Sequence, residues 1–419
     1  MSQHLYRVTL AMAFATAIVQ PCSPPSAAAA EQRPLQVFIL AGQSNMQGHA
    51  QVRTFEHVGM DPQTAPMLAE MQNPDGSAKI CERVWISSIG SAEQEQTGRL
   101  TAGFGAANGG PKIGPEFTFG LYMQKRIEAP ILIIKTSWGG KSLHTDFRPP
   151  SAGPYEFNEA HLASIQKQGK NLDAIKTEKK TATGHYYRLM IEHVNAVRND
   201  IKRVVPDYDL TQGYELAGFV WFQGWNDMVD SAAYPNRDEP GGYDAYSEVM
   251  AHFIRDVRND LHAPNLPFVI GVLGVGGPVE EYAPDQQRYK PTHQNFRLAM
   301  AAPAQLPEFK GNVAAVLTEK YWDGELTLLL AKENAARQQA KKLLNDGDID
   351  ASQEQATFKK LREENLTQRE RKVLETGVSN AEYHYLGSAK ILGSIGKAFA
   401  ETMAILNESR QTELVESPR

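Results

Sequence analysis

The residues of this chain that could do covalent chemistry are a serine near its beginning and a histidine near its end. Ser44 lies in the stretch "VFILAGQSNMQGHA", immediately after a short apolar run. A serine hydroxyl becomes a nucleophile when a histidine takes its proton. A serine between a strand and a helix is also a common N-cap, and for Ser44 alone this interpretation is favoured about two to one. Ser44 therefore indicates catalysis only together with partners elsewhere in the chain.

Two further polar segments contain groups that could stabilise negative charge. In "QGWND" the side-chain amide of Asn226 is a neutral donor, which can bind the charge that develops on a carbonyl oxygen. In "TSWGGKS" the backbone of Gly139 and Gly140 can approach a substrate closely, because these residues have no Cβ atom. The backbone N–H of Ser44, at a helix N-terminus, would be another donor. Each segment is equally compatible with an ordinary turn or tight loop.

His384 is the predicted base, because it follows Glu382 by two residues and begins the last apolar helical segment. A carboxylate near a histidine can fix its tautomer and stabilise the imidazolium. His144 and Asp146 are residue types that bind metals, but without clustered Cys or His a solvated loop is favoured about fivefold. The segment "GVLGVGG" has Val279 where a dinucleotide-binding motif needs its third glycine. No metal or dinucleotide site is predicted.

The predicted secondary structure brings these segments to one place. Five apolar runs, each followed by glycine or polar residues, predict buried strands over 35–40, 131–134, 216–222, 268–273 and 313–317. Between them, apolar residues recur at three- and four-residue steps, which predicts amphipathic helices. The alternation predicts an α/β fold, a three-layer α/β/α sandwich with a mostly parallel five-stranded sheet. The polar segments then follow the carboxyl ends of strands, where open sheets bind ligands.

The N-terminus is predicted to be a secretory signal over residues 1–30. Arg7 precedes an apolar stretch that is too short to span a bilayer, and small residues then lead to a cleavage site near Ala30. The mature chain is expected to be secreted or periplasmic. It would keep only Cys81, so it would have no internal disulfide. The net charge of −6 gives no electrostatic footprint for nucleic acid or an anionic membrane surface.

The mature chain, residues 31–419, is predicted to form one domain with two interruptions. Residues 41–115 are rich in glycine and polar residues and are expected to form loops over the sheet's edge. Residues 325–371 are dense in charge, with "NDGD" as a break, and predict a solvated helical hairpin inserted before the last element. We expect this insert to be a lid or an interaction arm rather than a part of the chemistry.

The order of the polar segments resembles the SGNH hydrolases, specifically the sialate O-acetylesterase-like and acetylxylan esterase-like carbohydrate esterases. That branch is marked by G-Q-S-N-M, a W-G-G loop and W-[YF]-Q-G. This chain has "AGQSNMQG", "TSWGG" and "VWFQGWND" in that order, followed by a late histidine. The resemblance covers about residues 35–405 outside the insert. It implies a flavodoxin-like fold and a secreted esterase that removes O-acetyl groups from a glycan, without a metal or organic cofactor.

The resemblance also implies roles for individual residues. Ser44 corresponds to the nucleophile and His384 to the general base. The implied oxyanion donors are amides: Ser44, Gly139, Gly140, and either Asn226 or Gln223. The family's acid lies two or three residues before the histidine, and here those positions hold Glu382 and Ala381. Glu382 is the predicted orienting acid, and a backbone carbonyl is the alternative.

The partner implied by these assignments is an acetylated carbohydrate, with no nucleic acid and no membrane span in the mature chain. The predicted substrate contacts lie close to the motifs: Gln43, Trp138, His144 and Trp225. Tyr383 could also stack on a sugar, whereas Trp221 lies within a strand and is expected in the core. Two alternatives are a catalytically silent carbohydrate-binding relative and a glycoside hydrolase that uses Asp227 and Glu382, which would leave Ser44 without a role. The sequence does not name the glycan or the oligomeric state.

Overall fold

A seven-stranded sheet runs through residues 33–416, the part of the chain that the computed structural model describes, with side chains described as far as Arg410. In chain order the strands are β1 Leu35–Gly42, β2 Ala50–Gln51, β3 Val84–Gly90, β4 Gln96–Arg99, β5 Lys112–Ile113, β6 Ile131–Ser137, β7 Tyr214–Phe222, β8 Phe268–Val272 and β9 Val313–Leu317. The main sheet has the order β4-β3-β6-β1-β7-β8-β9, while β2 and β5 form a separate antiparallel pair.

All five predicted strands are present, and their order β6-β1-β7-β8-β9 is that of a flavodoxin-like sheet. Their pairings are parallel. The predicted number of strands is wrong, because β3 joins β6 in parallel and β4 joins β3 in antiparallel at the edge. β3 was not predicted because two serines interrupt the apolar run in its sequence, "VWISSIG". Ser87 is nevertheless fully buried, with its hydroxyl bonded to Glu95 at 2.6 Å.

Helices cover both faces of the sheet. In chain order they are α1 Ser44–Gln47, α2 Phe55–Gly59, α3 Ala65–Met71, α4 Pro115–Arg126, α5 Glu159–Lys167, α6 Leu172–Ala182, α7 His185–Asn199, α8 Trp225–Val229, α9 Asp244–Asp260, α10 Lys290–Ala301, α11 Gly324–Asp346, α12 Glu354–Asn365, α13 Gln368–Gly377 and α14 Ala389–Glu416. Phe222 of β7 packs on Phe399 of α14, with ring centroids 5.4 Å apart. Its neighbour Trp221 packs on Phe253 of α9, because adjacent strand residues point to opposite faces. The predicted three-layer α/β/α sandwich is confirmed.

The two interrupting regions both contain regular structure. Residues 41–115 are more than the predicted loops, since they include α2, α3, β3 and β4. Over the charged segment, α11 and α12 pack against each other and reverse direction after Gly347, whose φ is +82°. A left-handed glycine at this position is a common helix C-terminus. Thr367 and Glu370 then form a capping box at the start of α13.

The unit that contains the site is Pro34–Arg419. The predicted signal over residues 1–30, with its cleavage site near Ala30, lies outside the described residues. Within residues 33–416, no helix is both long enough and apolar enough to cross a bilayer.

Candidate active site

Ser44 lies at the carboxyl end of β1, next to the point where the strand order changes direction between β1 and β7. Gly42 ends the strand, and Ser44 is the first residue of the four-residue helix α1. A Cβ on Gly42 would lie 2.1 Å from the carbonyl oxygen of Phe222, so only glycine fits between the two strand ends. Gln43 occupies the position before the helix and makes no side-chain capping bond. Ser44 is therefore not an N-cap, and it lines the cleft.

Gln43 links the serine to the opposite wall of the cleft. Its side chain is 1% exposed, and its Oε1 accepts hydrogen bonds from the backbone N–H of Gly224 at 3.1 Å and of Asn226 at 3.4 Å. Its Nε2 donates to Ser44 Oγ at 3.4 Å and to Asn226 Oδ1 at 3.1 Å. Because Oδ1 of Asn226 is bound in this way, its Nδ2 is the amide group left to face the cleft.

Gln223 lies behind this wall rather than in it. Its buried Nε2 donates to Gln43 Oε1 at 3.2 Å and to Asp227 Oδ2 at 2.6 Å. Asp227 is itself fully buried and accepts the backbone N–H groups of Leu143 at 2.7 Å and His144 at 3.0 Å. Of the two residues between which the sequence left the choice open, Asn226 lines the cleft and Gln223 does not.

The glycine loop after β6 passes directly beside the serine. A Cβ on Gly139 would lie 3.8 Å from the Cβ of Ser44, so the absent side chain keeps the space next to the hydroxyl open. The N–H of Gly139 donates to Ser91 Oγ at 2.9 Å. Gly140 has φ +73° and lines the same cleft, and within the described residues its N–H has no hydrogen-bond partner. Ser91 was not predicted because it follows β3, the strand that the sequence hides.

The imidazole of His384 lines the same cleft as Ser44. Its Nδ1 lies 2.8 Å from Oδ1 of Asn380. Since an amide oxygen only accepts, this bond assigns the proton to Nδ1 and leaves the lone pair on Nε2. Burial lowers the pKa of His384 to about 4. The ring is therefore neutral at neutral pH and able to accept a proton.

Asn380, and not Glu382, orients this histidine, which corrects the sequence-based prediction. The exposed side chain of Glu382 lines a separate cavity on the far side of Trp225. The physical reason is the turn that follows, where Tyr385, Leu386 and Gly387 all have left-handed φ angles, of 52°, 59° and 56°. The chain folds back on itself there, with the N–H of Asn380 bonded to the carbonyl oxygen of Leu386 at 3.0 Å.

This left-handed turn is held by a buried tyrosine. A non-glycine residue in this region costs roughly 1–2 kcal/mol, so two in succession need support from their surroundings. The hydroxyl of Tyr385 accepts the N–H of Gly274 at 2.8 Å and shares a 2.7 Å hydrogen bond with Thr318 Oγ1. A Cβ on Gly387 would lie 2.5 Å from Ser379 Oγ, so glycine is required there. Together these contacts fix the backbone that presents His384.

A second imidazole lies flat against the first. The rings of His49 and His384 are stacked, with centroids 3.8 Å apart and planes 1° apart. Burial first, and then the charge that His384 would carry, lower the pKa of His49 to about 3. Both rings are therefore neutral over the range where most enzymes work, and His49 limits how far the ring of His384 can rotate. Nothing in the sequence pattern pointed to this contact.

A fully buried ion pair supports the far end of α1. Lys135 Nζ lies 2.8 Å from Glu116 Oε2 and also donates to the carbonyl oxygen of Gln47 at 2.8 Å. Both charged side chains are 0% exposed. The pair thus ties β6 and α4 to the short helix that begins at Ser44. It was missed because a lysine that directly follows a predicted buried strand gives no sign of its partner.

Replacing Lys135 with methionine is expected to lower the free energy of unfolding by about 3–5 kcal/mol, because the carboxylate of Glu116 would stay buried without its countercharge. Urea denaturation followed by far-UV circular dichroism measures this change. The double variant Lys135→Met/Glu116→Leu serves as the control and should recover part of the loss, since it removes both charges. A single variant as stable as the wild type would contradict the role of the pair.

The cleft enclosed by these residues has a volume of about 500 Å³. Backbone and side-chain amides form one side of it, and the aromatic rings of Trp225 and Tyr383 form another, with centroids 5.7 Å apart. Among the described residues that line it, none is aspartate or glutamate. Glycoside hydrolysis by Asp227 and Glu382 therefore lacks its two carboxylates in this cleft.

Three of the aromatic and histidine residues singled out in the sequence lie outside the cleft. Trp138 is 5% exposed and packs on Tyr186, with ring centroids 5.3 Å apart. Trp221 is fully buried in the core, as predicted. His144 is buried, with its Nε2 3.0 Å from Asp230, and it lines a neighbouring polar cavity. Of the predicted aromatic contacts, Trp225 and Tyr383 are the two that line the cleft.

Comparison with known proteins identifies the family. The family model described as carbohydrate esterase, sialic acid-specific acetylesterase, matches residues 34–310, which is more than half of the chain. The chain belongs to this family. The resemblance found in the motifs is thereby confirmed, and the protein is a carbohydrate esterase by family. No match to this esterase is found among curated proteins.

Two solved structures are similar to this esterase over much of its length. A protein from Arabidopsis thaliana is 18% identical with a TM-score of 0.37, and the alignment covers 68% of this chain and 86% of that one. A carbohydrate acetylesterase from Xanthomonas citri is 16% identical with a TM-score of 0.36, with coverage of 67% and 49%. The esterase thus spans about half the length of the Xanthomonas protein.

The family model matches the part of the candidate site that contains the serine and ends before the part that contains the histidine. Ser44, the glycine loop and Asn226 lie inside residues 34–310, whereas Asn380 and His384 follow the helical insert beyond that span. The segment that carries the histidine therefore lies outside the residues that the family model matches.

Replacing Asn380 with aspartate is expected to raise the pKa of His384, because a nearby negative charge favours the imidazolium. If His384 is the general base, as the sequence predicts, kcat/KM falls as the pH drops through the pKa of His384, which is about 4 in the wild type. In the variant this acidic limb should move to higher pH by about 1–3 units. Profiles of kcat/KM against pH for p-nitrophenyl acetate measure the shift. An unmoved limb would show that Asn380 does not contact the base.

Proposed function

We propose that this esterase is an exported serine hydrolase that removes O-acetyl groups from a glycan through an acetyl-enzyme on Ser44. One observation carries the proposal: Ser44, His384, Asn226 and Gly140 line a single cavity, although the serine and the histidine lie near opposite ends of the chain. A nucleophile, a base and a set of amide donors are the parts that acyl transfer needs. Export rests on the predicted signal over residues 1–30.

In the first half of the proposed reaction, Ser44 Oγ attacks the carbonyl carbon of an acetyl ester while Nε2 of His384 takes the hydroxyl proton. Negative charge forms on the carbonyl oxygen and is bound by the Nδ2 group of Asn226 and by backbone N–H groups of Ser44 and Gly140. Each such donor contributes roughly 10²–10³ in rate. The bond to the sugar oxygen then breaks, and the imidazolium gives its proton to that oxygen.

In the second half, the acetyl group is released as acetate. Water attacks the carbonyl carbon of the acetyl-enzyme while His384 takes a proton from the water, and the same donors bind the oxyanion. The bond to Ser44 Oγ breaks, and the serine recovers its proton from His384. Trp225 and Tyr383 supply aromatic faces on which the sugar ring can stack. The volume of about 500 Å³ and the aromatic lining favour a carbohydrate over a small ester.

One observation favours a second function, a carbohydrate-binding protein with little or no turnover. Asn380 is neutral and cannot stabilise the imidazolium as a carboxylate would. The low pKa of His384, about 4, likewise indicates a weak base. The first function is preferred because of two features that a binding protein does not need. The proton of His384 is held on Nδ1 by Asn380, and the serine in the same cleft is not used as a helix cap.

The test combines acetate release with covalent trapping. The purified protein is incubated with p-nitrophenyl acetate, O-acetylated sialic acid, acetylated xylan and an acetylated sulfated polysaccharide, and acetate is measured. A fluorophosphonate probe is then applied, and the labelled peptide is identified by mass spectrometry. The proposal expects acetate from at least one glycan and a label on Ser44. Acetate release without that label would exclude the serine mechanism, and no release from any substrate would support the binding protein.

Replacing Asn226 with alanine is expected to lower kcat about 10²- to 10³-fold with a small change in KM, because the donor acts on charge that exists only in the transition state. Steady-state kinetics with p-nitrophenyl acetate measure the effect. The control variant is Asn108→Gly, since Asn108 lines the same cleft and glycine adopts its φ of 69° without strain. Equal losses in the two variants would contradict a specific oxyanion role for Asn226.

A further inference from the structure

A second cavity lies against the active-site cleft, and Trp225 lines both. Its volume is about 470 Å³, within the range of pockets that hold small molecules. Its other walls come largely from the segment between β8 and α10 and from the turn before His384. The residues that matter are aromatic or charged: Tyr282, Tyr289, His293, Arg237 and Glu382.

The aromatic side of this cavity includes a partly exposed tyrosine. Tyr289 is 45% exposed, and its ring lies nearly parallel to that of His293, with planes 17° apart and centroids 6.0 Å apart. His293 is held from behind, because its Nδ1 lies 2.6 Å from the buried hydroxyl of Tyr282. The guanidinium of Arg288 lies 4.7 Å from the centroid of the Tyr289 ring and donates to its hydroxyl at 2.7 Å. Tyr289 is therefore held by two neighbours and still has nearly half of its surface exposed. The exposed part of a large aromatic side chain held in this way can pack against the apolar face of a sugar.

The charged side offers hydrogen-bonding groups that the protein itself does not use. Among the described residues Glu382 makes no ion pair or side-chain hydrogen bond, although Arg237 lines the same cavity. Arg237 donates one N–H to the carbonyl oxygen of Val229 at 2.9 Å, which fixes its direction and leaves further donors. A carboxylate acceptor and a guanidinium donor beside an aromatic ring match a sugar, whose hydroxyl groups surround an apolar ring face.

We propose that this cavity is a subsite for the sugar unit adjacent to the acetylated one. The inference rests on the proposed deacetylation at Ser44. The observation behind it is that the two cavities adjoin, because Trp225 lines both. The ring of Trp225 lies 5.7 Å from that of Tyr383, the residue before His384 in the chain. A glycan whose acetylated unit faces Ser44 would pass over Trp225, so that its next unit reaches Tyr289 and Glu382. The preferred substrate is then an acetylated oligosaccharide or polymer rather than a free monosaccharide.

The experiment compares chain lengths in two series. One series is peracetylated xylose, xylobiose and xylotriose, and the other is O-acetylated N-acetylneuraminic acid and O-acetylated sialyllactose. In at least one series the wild type is expected to show kcat/KM about tenfold higher for the longer members than for the monosaccharide. Tyr289→Ala should remove most of this advantage, and Glu382→Gln a part of it. Turnover of p-nitrophenyl acetate, which is too short to reach the cavity, should change less than about twofold.

Leu298→Ala is the matched control, because Leu298 lies on α10 like His293 but is 64% exposed outside the cavity. It should behave as the wild type on every substrate. Equal kcat/KM for short and long substrates in both series would overturn the subsite. A Tyr289→Ala variant that loses the same activity on p-nitrophenyl acetate as on the oligosaccharides would also overturn it, since the ring would then support the cleft and not a second sugar.

A binding measurement separates failure of the subsite from failure of the proposed function. If the wild type releases no acetate, the proposed function fails. Calorimetric titration of the Ser44→Ala variant with xylotriose and with sialyllactose then decides the subsite alone. About tenfold weaker binding of either ligand after Tyr289→Ala supports it. Unchanged affinity for both ligands, or no binding of either, overturns it.

Discussion

Replacing Ser44 with alanine is expected to lower kcat for p-nitrophenyl acetate roughly 10⁴- to 10⁶-fold, because the proposed acetyl-enzyme forms on its hydroxyl. KM should change little, since the hydroxyl contributes to bond formation more than to binding. The fold should be unaffected: within the described residues the only hydrogen bond of Ser44 Oγ is the long one from Gln43, at 3.4 Å. Steady-state kinetics and a thermal unfolding curve on the same preparation measure both points.

Ser164→Ala is the matched control for this prediction. Ser164 is half-buried on α5 and lines the neighbouring polar cavity rather than the cleft. Its substitution should leave turnover within about twofold, as expected for a residue away from the chemistry. If Ser44→Ala kept more than about a tenth of the wild-type kcat, attack by a water molecule or another side chain would have to replace the serine mechanism.

The fold was predictable where its cause was local. Buried parallel strands need apolar side chains on both faces, so β1, β6, β7, β8 and β9 each appear as a continuous apolar run. The strands at the edge of the sheet need not be apolar, because a buried polar side chain there can form a hydrogen bond with another polar side chain. Ser87 in β3 is bonded to Glu95, and β4 has the sequence "QTGR". Such strands cannot be recognised without knowing the partners that satisfy their polar groups.

The candidate site likewise contains residues that could be predicted from the sequence and residues that could not. Ser44, the glycine loop and Asn226 each follow a strand directly, so the motif and the predicted sheet were enough to place them at one edge. The partner of His384 was not accessible from spacing, because the left-handed φ angles of Tyr385 and Leu386 turn the chain back on itself. Sequence distance to the histidine favoured Glu382, whereas the folded chain brings Asn380 to the ring.

The supporting residues could not be predicted because their partners are remote in sequence. His49 stacks on a ring that follows the whole helical insert, and Lys135 forms its ion pair with Glu116 across two elements. A lone histidine or lysine in a sequence is most often a solvated residue. What makes these two informative is burial together with a specific neighbour, and both properties belong to the folded chain alone.

Replacing His384 with alanine is expected to lower kcat about as much as loss of the serine, roughly 10⁴- to 10⁶-fold, because in the proposed mechanism His384 takes the hydroxyl proton. The acidic limb near the pKa of about 4 should disappear with it. His185→Ala is the control, since His185 is exposed at the start of α7 and lies outside the cleft. It should retain turnover within about twofold of the wild type.

The double variant Ser44→Ala/His384→Ala makes this prediction sharper. Groups that act as a unit lose their whole effect when either one is removed, so the double variant should be no slower than either single variant within about a factor of three. Two independent groups would instead give losses that multiply. Kinetics of the four proteins with p-nitrophenyl acetate, extended to long times to measure the slowest rates, distinguish the two cases. Multiplicative losses would mean that the imidazole and the hydroxyl share the cleft without sharing a proton.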